Sequence, residues 1–438
     1  MLLIYLPQIS PRTEYVFELV FKHELGIEYR TTSDSELFKN HQQGKINYSG
    51  SRINNELFIK ASSLLWESLI QKKDIVVEER HETKVLFPND ESCDIGFDLF
   101  SAIFYMVSRY EEYLPFTADQ HGRFKASDSV AFQNNFLQTP IVNAWIHIFK
   151  NRLQQKFPSL KIKNASFKAI VTYDIDVAYK FKGRGFIRTI GSSAKDILGF
   201  KWKNIFERIM TLLNIKKDPW DVYDSLGETI KRNNLSSIFF FLLADKTAND
   251  RNLHHENPVM KRLIQKIQKF SEPGIHPSFN SSMIPEKIPV EKERLEKISG
   301  KKITKSRQHY LKFNLPETYN SLLSAGITED YSMGFAEMPG FRAGMCKPFY
   351  FYDLKNETAT DLKIFPVTCM DATFKYYKEQ SAEKTLMEIL NLLKEVKKFD
   401  GTFISIWHND NLGESPENKK WNSVHNQMIR QIKAYLKK

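Results

Sequence analysis

The chain has 438 residues, 42% apolar and 26% charged, which excludes a disordered or fibrous protein and leaves length for two or three domains. A net charge of +11 admits nucleic acid, an anionic membrane or a polyanionic glycan as partner. The basic residues are spread widely without a zinc-finger, RNA-recognition or helix-turn-helix signature, so no nucleic-acid role is expected.

The opening MLLIYLPQIS reads as a strand closed by a Pro-containing turn. It is too short for a signal-peptide apolar region and lacks a basic leader, and no run of about eighteen apolar residues occurs anywhere. A cytoplasmic location without a transmembrane helix is expected. Residues 1–160 read as a smaller α+β domain. Within it FDLFSAIFYMVSRYEEYL, Phe97 to Leu114, repeats apolar positions at helical spacing, and a second helix is expected from Ile141 to Phe157. Arg109, Glu111 and Glu112 read as a solvated or ion-paired helix end. Cys93, Cys346 and Cys369 are too far apart for a zinc-ligand spacing and are expected in the core.

From residue 164 to 438 the rhythm changes to short apolar strands alternating with helical patterns, which predicts a parallel α/β architecture. Strands are expected at Phe167–Tyr173, Ser237–Leu243, Pro273–His276, Lys302–Arg307, Ile327–Tyr331, Leu362–Thr368 and Thr402–Trp407. Seven such strands suggest a barrel, with chemistry at their C-terminal ends. Those ends carry Asp174 and Asp176, then His276, Arg307 with His309, Asp330 and His408. Residues two apart on a strand share a face, so Asp174 and Asp176 converge, and like charges that close call for a cation or a proton between them. After the first strand, residues 178–217 interleave lysines and arginines with Phe181, Phe186, Ile197, Trp202 and Phe206, in the manner of a basic amphipathic lid or a solvated helical insertion. Contact with a membrane or a lipid-linked substrate is one reading of it.

Four stretches resemble the polysaccharide deacetylases of carbohydrate esterase family four. TYDID, Thr172 to Asp176, is similar to the first motif of that family, with Ile175 separating aspartates that are usually adjacent. GIHPSFNSS, Gly274 to Ser282, resembles the second, but Asn280 stands where a second histidine is usual. SRQHY, around Arg307, resembles the arginine motif, with His309 in place of a proline. SIWHND, Ser405 to Asp410, resembles the last. The leading unit, with SRYEEYL, is similar to the N-terminal domain attached to such barrels in Bacteroidetes-type proteins, an association with no known activity.

The resemblance implies a distorted seven-stranded (β/α) barrel after the smaller α+β domain. It implies a metal-dependent hydrolase that removes acetyl groups from an N-acetylated sugar or glycan. Asp174 would be the catalytic base, His408 the general acid, Asp176 and His276 metal ligands, and Arg307 a substrate-groove arginine. The cation would be zinc, with cobalt or nickel as alternatives. A third ligand is open among Asn280, His309 and the loop pair His254 and His255, and either Arg307 or Arg342 is placed to hold Asp174. Tyr310, Asp330, Tyr331 and Trp407 are expected to line the substrate pocket. Two rivals remain: a noncatalytic carbohydrate-binding descendant, and a glycosidase using Asp174 and Asp330.

Overall fold

The computed structural model describes residues 1–90, 92–185, 189–191 and 196–437. Phe186, Arg188 and Lys195 of the basic stretch lie outside them.

The first residues form four short parallel strands, β1 (Leu2–Tyr5), β2 (Tyr29–Thr32), β3 (Lys45–Ser49) and β4 (Leu57–Lys60), in the order β2-β1-β3-β4. A hairpin follows, β5 (Val77–Arg80) with β6 (Thr83–Leu86). The helix Leu99–Val107 is capped by Asp98, which accepts from the Ser101 amide, and all nine of its residues are buried. It is shorter than expected because Arg109 takes a left-handed conformation (φ 56°), which an α-helix does not continue through. The residues after it form a buried ion network with Glu111 and Glu112, not a solvated end. The helix Ile141–Lys156 matches its expected span to within a residue.

The second sheet is built from β7 (Lys168–Ile175), β8 (Ser236–Phe241), β9 (Glu272–Ile275), β10 (Lys305–Ser306), β11 (Glu329–Asp330), β12 (Phe349–Asp353), β13 (Thr358–Ile364), β14 (Cys369–Met370) and β15 (Thr402–His408). Their order is β12-β13-β11-β10-β9-β8-β7-β15-β14, and every neighbouring pair is parallel except β12 with β13. No ladder closes a barrel among the described residues, so the architecture is mixed α/β with an open strand order. The sheet is nevertheless curled. Seven steps separate β13 from β14 in that order, about 34 Å if flat, yet only four residues link them, a reach of about 17 Å. The Phe365 amide bonds to the Asp330 carbonyl and the Thr368 amide to the Ile404 carbonyl, so the link spans from the strand beside one edge to the other edge.

Side-chain alternation divides the strands into two faces. In β7, Ala169, Val171, Tyr173 and Ile175 join the large core shared with the helices, while Ile170 joins Ile238, Phe240, Tyr331 and Ile404 on the inner face. Thr172, Asp174 and Asp176 continue that inner face towards the C-terminal ends of the strands. Helices Tyr223–Asn233, Pro258–Ile267, Lys287–Ser299, Glu317–Ser324 and Ala382–Lys398 cover the outside, with an unexpected long helix, Pro416–Leu436. No helix among the described residues is long and apolar enough to cross a membrane. The three cysteines are buried and unpaired.

Residues 335–360 carry many of the contacts between the second unit and the helices and loops of the first. Gly340 (φ 137°) lies so close to the Leu137 carbonyl that a Cβ there would stand 2.5 Å from its oxygen. The MPGFRAG loop is thus shaped to approach the first unit. Arg342, expected near Asp174, instead donates to both carboxylate oxygens of Glu112 (2.9 and 2.6 Å) and to the Gly334 carbonyl.

Candidate active site

The inner face of β7 ends at a cavity of about 570 Å³, lined among others by Asp174, Asp176, His276, His309, Tyr310 and His408. Asp174 is buried, and Arg307 donates to it at 2.8 Å and to Thr172 Oγ1 at 2.5 Å. The same guanidinium bonds the Tyr331 carbonyl (2.9 Å) and lies 4.5 Å above the Phe240 ring. Arg307 is thereby clamped to the cavity floor, and of the two candidate arginines it is the one that holds Asp174.

His276 and His309 approach Asp176 from beyond the C-terminal ends of β9 and β10. His276 Nδ1 bonds the Arg307 carbonyl oxygen at 2.5 Å, and since a carbonyl only accepts, that nitrogen carries the proton. His309 Nδ1 likewise faces Asp250 Oδ1 at 2.9 Å. Both Nε2 atoms are then free to ligate; they stand 3.2 Å and 3.5 Å from the Asp176 oxygens. Asp176 Oδ1 is buried without a hydrogen-bond partner. One donor atom from each of the three residues lies within 4.8 Å of the others, a group that fits a metal ion. Burial lowers the pKa of His309, but Asp176 and Asp250 outweigh it and raise it to about 9, the response of a site that demands positive charge. Of Asn280, His309, His254 and His255, among which the third position was left open, His309 is the one that converges with Asp176 and His276. Asn280 lies on the single turn Phe279–Ser282 and, like His254 and His255, does not line the cavity.

On the opposite wall, His408 ends β15. Its Nδ1 and Asp371 Oδ1 are 2.6 Å apart, and its amide donates to Asp371 Oδ2 (2.8 Å), which also accepts from Asn411. Its Nε2 stands 3.8 Å from Asp176. Burial lowers the His408 pKa, but Asp371, then Asp176 and Asp174, carry it well above the usual value. Tyr310 and Leu311 take left-handed conformations (φ 62° and 51°), a turn that sets the Tyr310 ring 4.6 Å from His309.

Three expected substrate residues lie elsewhere. Asp330 is wholly buried and accepts from Ser306 and Ser332; Tyr331 stacks on Phe365 (4.5 Å, 14°); Trp407 packs on His425. In each case strand alternation or a full set of local partners turns the side chain from the cavity. Residues missed by sequence reasoning are Asp250 and Asp371, which orient the two histidines. Asp371 carried a usable signal, since TCMD repeats the apolar-run-to-aspartate pattern of TYDID, but the sixth strand was expected to end at Thr368. A second cavity of about 590 Å³ opens at the other end of β7 and β15, by Lys168 and Thr402, and is lined among others by His23, Glu24, Lys163 and Lys363.

Residues 2–158 match a family model described as a family of unknown function (DUF7033). A search among curated proteins finds no match. Among solved structures the chain is similar to a protein named as a polysaccharide deacetylase from Mycobacterium smegmatis, with 14% identity, 61% of this chain and 85% of that one covered, and a TM-score of 0.41. It is also similar to the polysaccharide deacetylase of Bacillus cereus (13%, 62% and 87%, 0.31). A pseudoenzyme of carbohydrate esterase family four from Bacillus anthracis matches too (10%, 61% and 62%, 0.32). These likenesses are remote.

Proposed function

We propose that the protein is a metal-dependent hydrolase that removes an acetyl group from an N-acetylated sugar or glycan, leaving acetate and a free amine. The observation that carries this reading is the convergence on one cavity of the Asp176, His276 and His309 group, the Asp174 and Arg307 pair, and the His408 and Asp371 pair. Zinc suits two imidazoles and a carboxylate, with cobalt or nickel as alternatives; any of them supplies Lewis-acid chemistry, drawing the pKa of a water towards about 7 and polarising an acyl oxygen. Asp174, oriented by Arg307, takes the proton of the attacking water as its oxygen bonds to the carbonyl carbon. His408 gives its proton to the amide nitrogen as the C–N bond breaks, and Asp371 stabilises the imidazolium until then. Tyr310 and Tyr376 supply apolar faces at the rim.

Two units, 1–160 and 164–438, fit the division of the strands, with β1–β4 and the β5–β6 hairpin in the first and the nine-stranded sheet in the second. Counting the continuous stretch 358–370 once, seven parallel segments surround the site, and we take this as a distorted barrel. The glycosidase alternative loses its second carboxylate, since Asp330 is fully bonded away from the cavity. The noncatalytic alternative loses its main support, since His309 supplies the imidazole absent at Asn280.

We further assign the helix Trp202–Leu212, within the basic stretch, to contact with an anionic lipid surface. Trp202, Phe206, Ile209 and Leu213 form one stripe and are 50–64% exposed, whereas Arg208 and Thr211 are buried. The helix is inside out. Exposed lysines at 201, 203 and 216 flank the stripe, the composition of a helix lying in a membrane interface. A lipid-linked glycan precursor on the cytoplasmic side is the substrate this favours.

The deciding experiment is metal content by elemental analysis. About one cation per chain is expected, lost in Asp176→Ala, His276→Ala and His309→Ala and kept in Asn280→Ala. Loaded protein should release acetate from acetylated sugars. No metal after incubation with zinc, cobalt and nickel would sink this reading.

A further inference from the structure

We propose that the N-terminal unit builds a second sugar subsite beside the catalytic cavity, so that the substrate is an oligosaccharide and not a single sugar. This rests on the deacetylase reading above. The loop Asp119–Arg123 reaches across to the cavity wall. Asp119 Oδ1 accepts from the amides of His121 and Arg123 (2.8 and 2.9 Å), fixing a turn in which Gly122 has φ 81°. Arg123 is buried; it donates to the Tyr310 carbonyl at 2.7 Å and to the Tyr377 hydroxyl at 3.3 Å, tying the two aromatic walls together. The His121 ring stands 5.0 Å from that of Tyr310, and Gln120 itself lines the catalytic cavity.

Gln120 and Tyr377 also line a neighbouring cavity of about 530 Å³, continued by Lys125, Phe132, Glu337 and Met338. One groove thus runs from the Asp176 group, past Tyr377, to Phe132. Each cavity alone falls within the roughly 300–1,000 Å³ that holds a small ligand, so together they exceed the need of one monosaccharide. The surface chemistry agrees. Outside residues 190–215, the exposed large aromatic side chains among the described residues are Phe116, Phe132, Tyr376 and Tyr377, and three of these four border the groove. Aromatic faces suit the C–H faces of a pyranose, and Lys125 and Glu337 supply a donor and an acceptor for its hydroxyls. Of the residues lining the distal cavity, Glu337, Met338 and Tyr377 come from the unit that carries the chemistry, and the other six from the N-terminal unit.

The test uses the full chain loaded with zinc and N-acetylglucosamine oligomers from monomer to hexamer, read by acetate release and, independently of turnover, by calorimetric binding. kcat/KM is expected to rise roughly tenfold or more from monomer to tetramer, and Phe132→Ala or Tyr377→Ala to collapse that ratio towards one. Equal kcat/KM at every length, or a ratio unchanged in both variants, would overturn the subsite and leave the deacetylase reading standing. Length-dependent binding that Phe132→Ala weakens, with no acetate from any oligomer, would uphold the subsite and sink the deacetylase. No binding at any length would overturn both.

Discussion

The contact between His408 Nδ1 and Asp371 Oδ1 is short, 2.6 Å. A charge-assisted bond of this kind holds the imidazole in one orientation and keeps its proton. Because the folded pKa lies above the ordinary value, His408 remains a proton donor through neutral pH, and activity falls as pH rises through that raised pKa. Asp371→Asn should therefore shift the alkaline limb of kcat/KM to lower pH, and an unmoved limb would show that His408 is not the acid. Arg307→Met removes the donors to Asp174, Thr172 and the Tyr331 carbonyl at once. A fall of about 100-fold in kcat with metal content unchanged is expected, the scale of losing one organised electrostatic partner. At this scale, strand-end position in the sequence was enough to find Asp174, Asp176, His276, Arg307, His309 and His408, because an apolar run that stops at a charged residue records where a strand leaves the core. It could not separate Arg307 from Arg342, since both follow short apolar stretches and only packing decides which guanidinium meets Asp174 and which meets Glu112.

Helical periodicity in residues 202–213 was legible, but not which side of the helix meets solvent. An amphipathic helix is expected to turn its apolar stripe inward, and here Arg208 is paired with Asp196 (2.6 Å) beneath the outward stripe. Each apolar side chain transferred from water is worth about 1.5–3 kcal/mol. Phe206→Glu with Leu213→Glu should thus lower partitioning onto phosphatidylglycerol-containing vesicles by about 100-fold or more, read by co-sedimentation and by a Trp202 emission shift. Wild-type protein that ignores such vesicles at low salt, or that forms dimers through this stripe, would refute the lipid assignment. The helix Leu99–Val107 shows the complementary limit. Its apolar spacing was plain, while its end came at Arg109, whose guanidinium pairs with Glu111 and Glu112, the latter shared with the distant Arg342.

Across the whole molecule, two buried polar clusters join the parts. Glu112 is buried between Arg109 and Arg342 and held below the usual carboxylate range: burial raises its pKa, but the two arginines outweigh it. Glu112→Gln leaves two guanidinium groups short of charge, and a loss of about 3–5 kcal/mol in urea unfolding is expected; a change below about 1 kcal/mol would mean that the network is dispensable. His425, on the last helix, lies buried against the Tyr173 hydroxyl (3.0 Å), and burial pushes its pKa down to about 4. Below about pH 6.5 the unfolded chain takes up a proton that the folded one refuses, so this contribution is present above that pH and is lost as pH falls towards 4. The gap amounts to about 3 kcal/mol. His425→Gln should flatten that part of the pH dependence of stability between pH 7.5 and 4.5.

The alternation of strands and helices after residue 164, the strand-end placement of the polar residues and the core role of the cysteines were determined by the sequence itself, because period and local charge are properties of neighbouring residues. The open curl of the sheet, with the strand beside one edge linked to the other edge by residues 365–368, the choice of His309 over Asn280, the orienting roles of Asp250 and Asp371, and the reach of Arg123 to Tyr310 were decided only by tertiary structure. Each depends on the distance between groups far apart in the chain, and Arg123 and Tyr310 lie 187 residues apart. No local pattern encodes that separation; the packing of the two units against each other sets it.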